Sequence, residues 1–256
     1  MGGVRLSPQV LWHLGPEEPA LPEGDVHVWR ASLHLPQDER ESLYRVLDPA
    51  ERERVARLPS LSTRDRTMAA RAILRMILSR YLGVDPTALK FSYNPSGKPE
   101  LAAPYVSSGL CFNLSHSHGV AVYAVARRRA VGIDLERVRE GVLIERIARR
   151  FFSPREIVAL EGMPEAARRR AFFTCWTRKE AYVKARGIGL FPSFRRFTVS
   201  LAPGEPARLV DVEGDAQEPL RWTFREFVPA PGYVASLAVE GRGFRVRYWD
   251  WSGGRT

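Results

Sequence analysis

Val131-Gly132-Ile133-Asp134-Leu135-Glu136 reads as a β-strand, with Val131, Ile133 and Leu135 on one face and both carboxylates, Asp134 and Glu136, on the other. The stretch is also half of a repeat. Val26-His27-Val28-Trp29 precedes it by 105 residues (131 − 26), and the punctuation that follows each recurs at nearly the same spacing. Asp48-Pro49 and Ser153-Pro154, each an N-cap followed by proline at the first helical position, stand 105 apart (153 − 48). Gly83 and Gly187 close helix patterns 104 apart (187 − 83), and the strand-like Phe91-Ser92-Tyr93 and Phe197-Thr198-Val199 are 106 apart (197 − 91). Gly119 to Tyr123 then matches Gly232 to Ser236, extra loop residues having widened the offset to 113 (232 − 119). Each half predicts strand, helix, helix, strand, a turn-rich excursion and a closing strand. The boundary falls at Arg127-Arg128-Arg129, giving halves 1–128 and 129–256. A ligand is expected in the cleft between them.

The second helix of each half is the better marked. In Thr67 to Leu82, the residues Ala69, Ile73, Met76, Ile77 and Tyr81 recur at helical spacing, with Arg71, Arg75 and Arg80 elsewhere on the wheel. Ala171 to Arg186 is its counterpart. Residues 94–109 and 202–219 read as turn-rich loops.

Composition narrows the class. The 256 residues are 45% hydrophobic and 27% charged, which describes a globular chain and excludes a disordered or fibrous one. No apolar run approaches the roughly 18 residues of a membrane span, and MGGVRLSPQV lacks a signal-peptide core, so a cytoplasmic location is expected. Cys111 and Cys175 are too few for a disulfide framework or a thiolate zinc site. The excess of 39 Lys+Arg over 29 Asp+Glu, a net +10, points to an anionic partner: nucleic acid, a polyphosphate cofactor or an acidic protein.

Three clusters carry chemistry. Asp134 and Glu136 repel each other on one strand face, a cost that a divalent cation removes; the bland alternative is a solvated edge strand. Glu180 borders the apolar stripe of its helix, with Lys184 one turn on and Lys179 adjacent; an ordinary helical ion pair is the alternative there. Asn113-Leu114-Ser115-His116-Ser117-His118-Gly119 suits a tight turn presenting a hydroxyl, an imidazole and backbone N–H groups to an anion. His116 and His118 have no third ligand nearby for zinc. Gly97-Lys98-Pro99 adds a cation on a stiff turn.

Taken in order, Gly97-Lys98-Pro99-Glu100-Leu101, Phe112-Asn113-Leu114-Ser115-His116-Ser117, Val131 to Glu136, Arg150-Phe151-Phe152-Ser153 and Phe173 to Lys184 resemble the 4′-phosphopantetheinyl transferases of the broad-specificity Sfp type, over roughly residues 50–200. The resemblance implies an α+β fold of two similar α/β subdomains related by a pseudo-twofold, each a small sheet packed with helices. It implies a monomer, Mg²⁺ or Mn²⁺ held by Asp134, Glu136 and Glu180, and coenzyme A as substrate. The acceptor is a serine of an acyl, peptidyl or aryl carrier protein, and adenosine 3′,5′-bisphosphate leaves.

By the same likeness, Glu180 is the base for the serine proton, Lys184 neutralises or protonates the leaving phosphate, and His116 completes the catalytic set by binding a diphosphate oxygen with Ser115. Gly97, Lys98 and Pro99 line the adenine end, and Lys179 is a further phosphate contact. Arg71, Arg54 and Thr67, which open or precede the first core helix together with Arg64, are candidates for the 3′-phosphate. Two other chemistries remain open: a metal-dependent nuclease, which has no evident use for the Asn-Leu-Ser-His-Ser and Gly-Lys-Pro segments, and a nucleic-acid-binding module, which would expose its aromatics.

Overall fold

The computed structural model describes residues 10–189, 194–201 and 205–252. The N-terminal stretch judged to lack a signal core, and part of the expected 202–219 loop, fall outside them. The chain divides into two compact units, one built of Trp12–Arg128 with the segment from Arg245 onward, the other of Arg129–Phe244.

The first unit runs β1 (His13–Leu14), β2 (Asp25–Ser32), α1 (Gln37–Val46), α2 (Pro49–Ala56), α3 (Leu61–Leu82), β3 (Phe91–Tyr93), β4 (Pro99–Leu101), β5 (Leu110–Ser117) and β6 (Val120–Arg127). The second runs β7 (Val131–Arg137), α4 (Ile144–Phe151), α5 (Pro154–Glu161), α6 (Glu165–Arg186), β8 (Phe197–Val199), β9 (Leu209–Val212), a helical turn at Glu218–Arg221, β10 (Trp222–Phe227) and β11 (Tyr233–Glu240). The last strand, β12 (Arg245–Asp250), pairs in parallel with β2, so the sheet of the first unit is ordered β1-β12-β2-β6-β5. The expected 129–256 half is corrected accordingly. Ladder bonds to β2, and the ion pairs that Arg245 and Arg247 make with the buried Asp25, hold β12 with the N-terminal unit.

The repeat is visible in both units. The antiparallel set β2-β6-β5 has its counterpart in β7-β11-β10, and the small hairpin β3-β4 in β8-β9. The capping boxes recur too: Asp48 with Glu51 opens α2, and Ser153 with Glu156 opens α5. Each box glutamate then receives a buried cation from the long helix, Arg75 Nε donating to Glu51 at 2.6 Å and Lys179 Nζ to Glu156 at 2.8 Å. Desolvated carboxylates persist only when paired, so these bridges tie the short helix of each unit to its long one. Gly83 and Gly187 end α3 and α6 in the left-handed conformation, both at φ 64°.

Each sheet buries one face under its long helix. In the first unit Ala69, Ala70, Ile73 and Ile77 of α3 join Trp29, Ala121, Tyr123 and Val125 in one core, and the Tyr123 hydroxyl donates to the Ala70 carbonyl at 3.1 Å. Both long helices begin earlier than periodicity suggests, at Leu61 and Glu165. The expected 94–109 loop contains β4 and a 3₁₀ turn at Tyr105–Ser108, and 202–219 contains β9. Those short strands carry no alternation long enough to announce them.

Candidate functional site

Gly132 decides how α6 meets β7. A Cβ on it would stand 2.1 Å from the Ala181 carbonyl oxygen and 2.3 Å from the Ala185 nitrogen, so the helix backbone presses on the strand where no side chain intervenes. Gly132, Asp134 and Glu136 share a strand face, which is therefore covered by α6 and not the solvated side of an edge strand.

The close approach brings Lys184 Nζ to 2.6 Å from Asp134 Oδ1. Asp134 and Glu180 are both buried, and Glu136 is half-buried. Burial and then the Asp134 charge, with a smaller push from Glu136, raise the Glu180 carboxyl from 4.5 to about 8, while Lys184 opposes the shift. Burial lowers the Lys184 pKa, but the charges of Asp134 and Glu180 outweigh it and leave the ammonium above its usual range. Ser236 lies directly across from Asp134 on β11 and shares a 3.0 Å hydrogen bond with Thr177, one turn before Glu180.

This donor set is all oxygen and rich in negative charge, which suits Mg²⁺ or Mn²⁺. Among the described residues, however, no three His, Cys, Asp or Glu side chains form a ready-made metal cage. The ammonium of Lys184 supplies the positive charge that Asp134 meets here.

Lys179, expected at a phosphate, is elsewhere. It is fully buried and donates to both Glu156 oxygens at 2.8 Å and to the Phe197 carbonyl at 2.7 Å. On a helix Lys184 follows Glu180 by one turn and shares its face, whereas Lys179 points about 100° away.

The Asn113 to Ser117 segment is strand, not turn: Ser115, His116 and Ser117 pair with Val122, Ala121 and Val120. The turn is only His118-Gly119, His118 taking a left-handed φ of 52°. As strand neighbours, Ser115 and His116 send their side chains to opposite faces and do not converge on one atom. His116 is half-buried and Ser115 buried.

The Gly97-Lys98-Pro99 prediction falls on the end of the β3–β4 connection and the first residue of β4. The Asn94 carboxamide accepts from the backbone N–H groups of Ser96 and Lys98, both at 2.9 Å, and Gly97 supplies the φ of 80° that the turn requires. Burial lowers the pKa of the half-buried Lys98, against the pull of Cys111 and Glu100.

Of the N-terminal cations, Arg54 and Arg71 converge on Tyr93. Arg54 Nη2 donates to the phenol oxygen at 2.5 Å and Arg71 Nη1 at 3.2 Å, with Arg54 over the ring at 4.3 Å from its centroid. Thr67, half-buried, precedes Arg71 by one turn on α3. Arg64 donates to the Leu58 carbonyl at 2.7 Å. Sequence reasoning singled out neither Tyr93 nor Gly132, and took Glu156 only as part of the segment that follows Ser153. For Gly132 the available signal was a glycine inside an alternating strand, which marks a close backbone approach.

Comparison with known proteins identifies the family. Residues 130–238 match the family described as the 4′-phosphopantetheinyl transferase superfamily, and residues 29–128 match the family described as 4′-phosphopantetheinyl transferase, N-terminal. The 4′-phosphopantetheinyl transferase HetI of Nostoc sp. is 39% identical over 243 residues, covering 95% of this chain and 99% of its own. The 4′-phosphopantetheinyl transferase Sfp of Bacillus subtilis is 30% identical over 167 residues, covering 65% of this chain and 72% of its own. Carrying matches to both halves, and a relative aligned nearly end to end, the chain belongs to the 4′-phosphopantetheinyl transferase superfamily.

Proposed function

We propose that this chain moves 4′-phosphopantetheine from coenzyme A to a serine hydroxyl of an apo carrier protein of the acyl, peptidyl or aryl kind, in a Mg²⁺-dependent reaction that releases adenosine 3′,5′-bisphosphate. The observation that carries the reading is the 2.6 Å contact of Lys184 with Asp134 beside a buried Glu180. Cleaving a diphosphate calls for cations and carboxylates fixed in a partly dry site, because phosphoryl transfer is mainly positioning and charge neutralisation.

In the reaction the serine oxygen bonds to the β-phosphorus as the bond from that phosphorus to the bridging diphosphate oxygen breaks. Glu180, as the carboxylate, accepts the serine proton. Lys184 donates a hydrogen bond to the departing phosphate oxygen, exchanging part of its contact with Asp134 for the new negative charge. Asp134, Glu136 and Glu180 would hold the divalent ion, which when bound neutralises diphosphate charge. The imidazole of His116 is assigned to a diphosphate oxygen, Gly97, Lys98 and Pro99 to the adenine end, and Arg71, Arg54 and Thr67 to the 3′-phosphate.

The enzyme is read as a cytoplasmic monomer. Among the described residues no helix is long and apolar enough to cross a membrane. Mass spectrometry of apo carrier proteins incubated with enzyme, Mg²⁺ and coenzyme A tests the whole reading. A gain of one phosphopantetheine on a single serine is expected; unchanged masses across acyl, peptidyl and aryl carriers overturn it.

A further inference from the structure

The phenol of Tyr93 is held in a way that leaves one hydrogen-bonding capacity to spare. Arg54 Nη2 reaches its oxygen at 2.5 Å and Arg71 Nη1 at 3.2 Å. A guanidinium only donates, so both oxygen lone pairs are engaged as acceptors, and the phenol proton must point to an acceptor outside the pair. Three donors, two of them cationic, therefore surround one spot at the end of β3.

The charge around them is not balanced. Glu51 lies 3.5 Å from Arg71 but is pinned by Arg75 at 2.6 Å, and Arg75 also holds Asp48 at 2.7 Å. Two carboxylates thus serve three guanidiniums, and the uncompensated charge sits on the more exposed side, with Arg54 and Arg71. Both arginines also lie against the Tyr93 ring, at 4.3 and 5.8 Å from its centroid. The aromatic face keeps two like charges beside each other and holds their forks before a ligand arrives.

We propose that Tyr93 is a specificity residue for a phosphate monoester, donating its phenol proton to the same anion that Arg54 and Arg71 bind. A monoester offers three oxygens, enough for the phenol and both guanidiniums, whereas a bridging diphosphate oxygen does not. The inference rests on the coenzyme A reading above. There it makes Tyr93 the group that separates coenzyme A from 3′-dephospho-coenzyme A, and it leaves the catalytic carboxylates untouched.

Tyr93→Phe removes the oxygen and keeps the ring. Calorimetry should show adenosine 3′,5′-bisphosphate binding roughly tenfold or more weakly to this variant, the worth of one hydrogen bond to a charged group, with adenosine 5′-monophosphate unaffected. In kinetics KM for coenzyme A should rise while KM for 3′-dephospho-coenzyme A stays level, so the preference between the two shrinks. Arg54→Gln alters an exposed side chain that cannot unfold the core, and should produce the same selective loss. Tyr93→Phe placed on that background should then add less than it does alone. Equal weakening of both nucleotides, or no change in either, overturns the role of Tyr93. Wild-type enzyme that binds the bisphosphate selectively but modifies no carrier overturns the transferase reading and leaves the monoester site standing.

Discussion

Gly132 and Ala181 are in backbone contact: a Cβ on the glycine would lie 2.1 Å from the alanine carbonyl oxygen. That contact sets the depth at which α6 sits on β7, and with it the reach of Lys184 to Asp134. Gly132→Ala must push the helix outward or bend the strand. The expected cost is about 1–3 kcal/mol in thermal or denaturant unfolding. Transferase activity should fall by far more than this loss of stability explains, because a displacement near 1 Å at a reacting centre costs about a hundredfold. Full activity in a destabilised Gly132→Ala enzyme would show that the helix position is not critical.

The two strand carboxylates should respond oppositely in stability while both lose activity. Asp134→Ala removes the partner of a largely buried ammonium, which costs about 3 kcal/mol where no water replaces it. Glu136→Ala relieves repulsion on Glu180 and should leave unfolding unchanged or slightly later. Melting curves without added metal, compared with turnover under saturating Mg²⁺, separate the two effects. A destabilised Glu136→Ala or a stabilised Asp134→Ala contradicts the charge arrangement.

Much of this was legible in advance, for identifiable reasons. The duplicated units announced themselves through strictly local chemistry: N-cap and proline at Asp48-Pro49 and Ser153-Pro154, and closing glycines at Gly83 and Gly187. The paired carboxylates followed from strand alternation. What escaped depends on partners far along the chain. The pairing of β12 with β2 joins segments about 220 residues apart, as the Arg245–Asp25 contact shows, and nothing within Arg245–Asp250 names its neighbour. Lys179 and Lys184 differ only in helical phase, and the phase became meaningful once Glu156 was found beneath one and Asp134 beside the other. The turn expected over Asn113 to Gly119 narrows to His118-Gly119, because short polar residues favour turns locally while pairing with the apolar β6 carries the strand on to Ser117.

Glu180 gives the metal-free enzyme a pH dependence of known sign. Its carboxyl is raised from 4.5 to about 8, so the folded state prefers the protonated form. The stability this confers is full below pH about 4.5 and is lost as pH rises through about 8. Denaturant midpoints between pH 5 and 9 should therefore decline in the wild type and decline less in Glu180→Gln. A wild-type stability profile identical to that of Glu180→Gln would show that the glutamate titrates normally.

The carrier protein itself is expected at α4. Ile144 and Ala148 of this helix are buried, while Arg146, Arg149 and Arg150 face outward and Leu143 before it is exposed. The helix is therefore a core element with a basic outer face, joined to β7 by a short connection that begins just after Arg137. Arg149 makes only a 3.7 Å surface contact with Glu161, too exposed to matter much for folding. Carrier proteins being commonly acidic helical bundles, a chain of net +10 should attract them over a range that shrinks with salt. Reversing Arg146 and Arg149 to glutamate should slow association and flatten its dependence on salt, leaving turnover at saturating carrier nearly unchanged, because the acids and Lys184 are untouched. Stopped-flow association at two or more ionic strengths reads both quantities. If rate and salt slope match the unaltered enzyme, the carrier meets another face, and the arginines of α4 serve only to keep that helix in water.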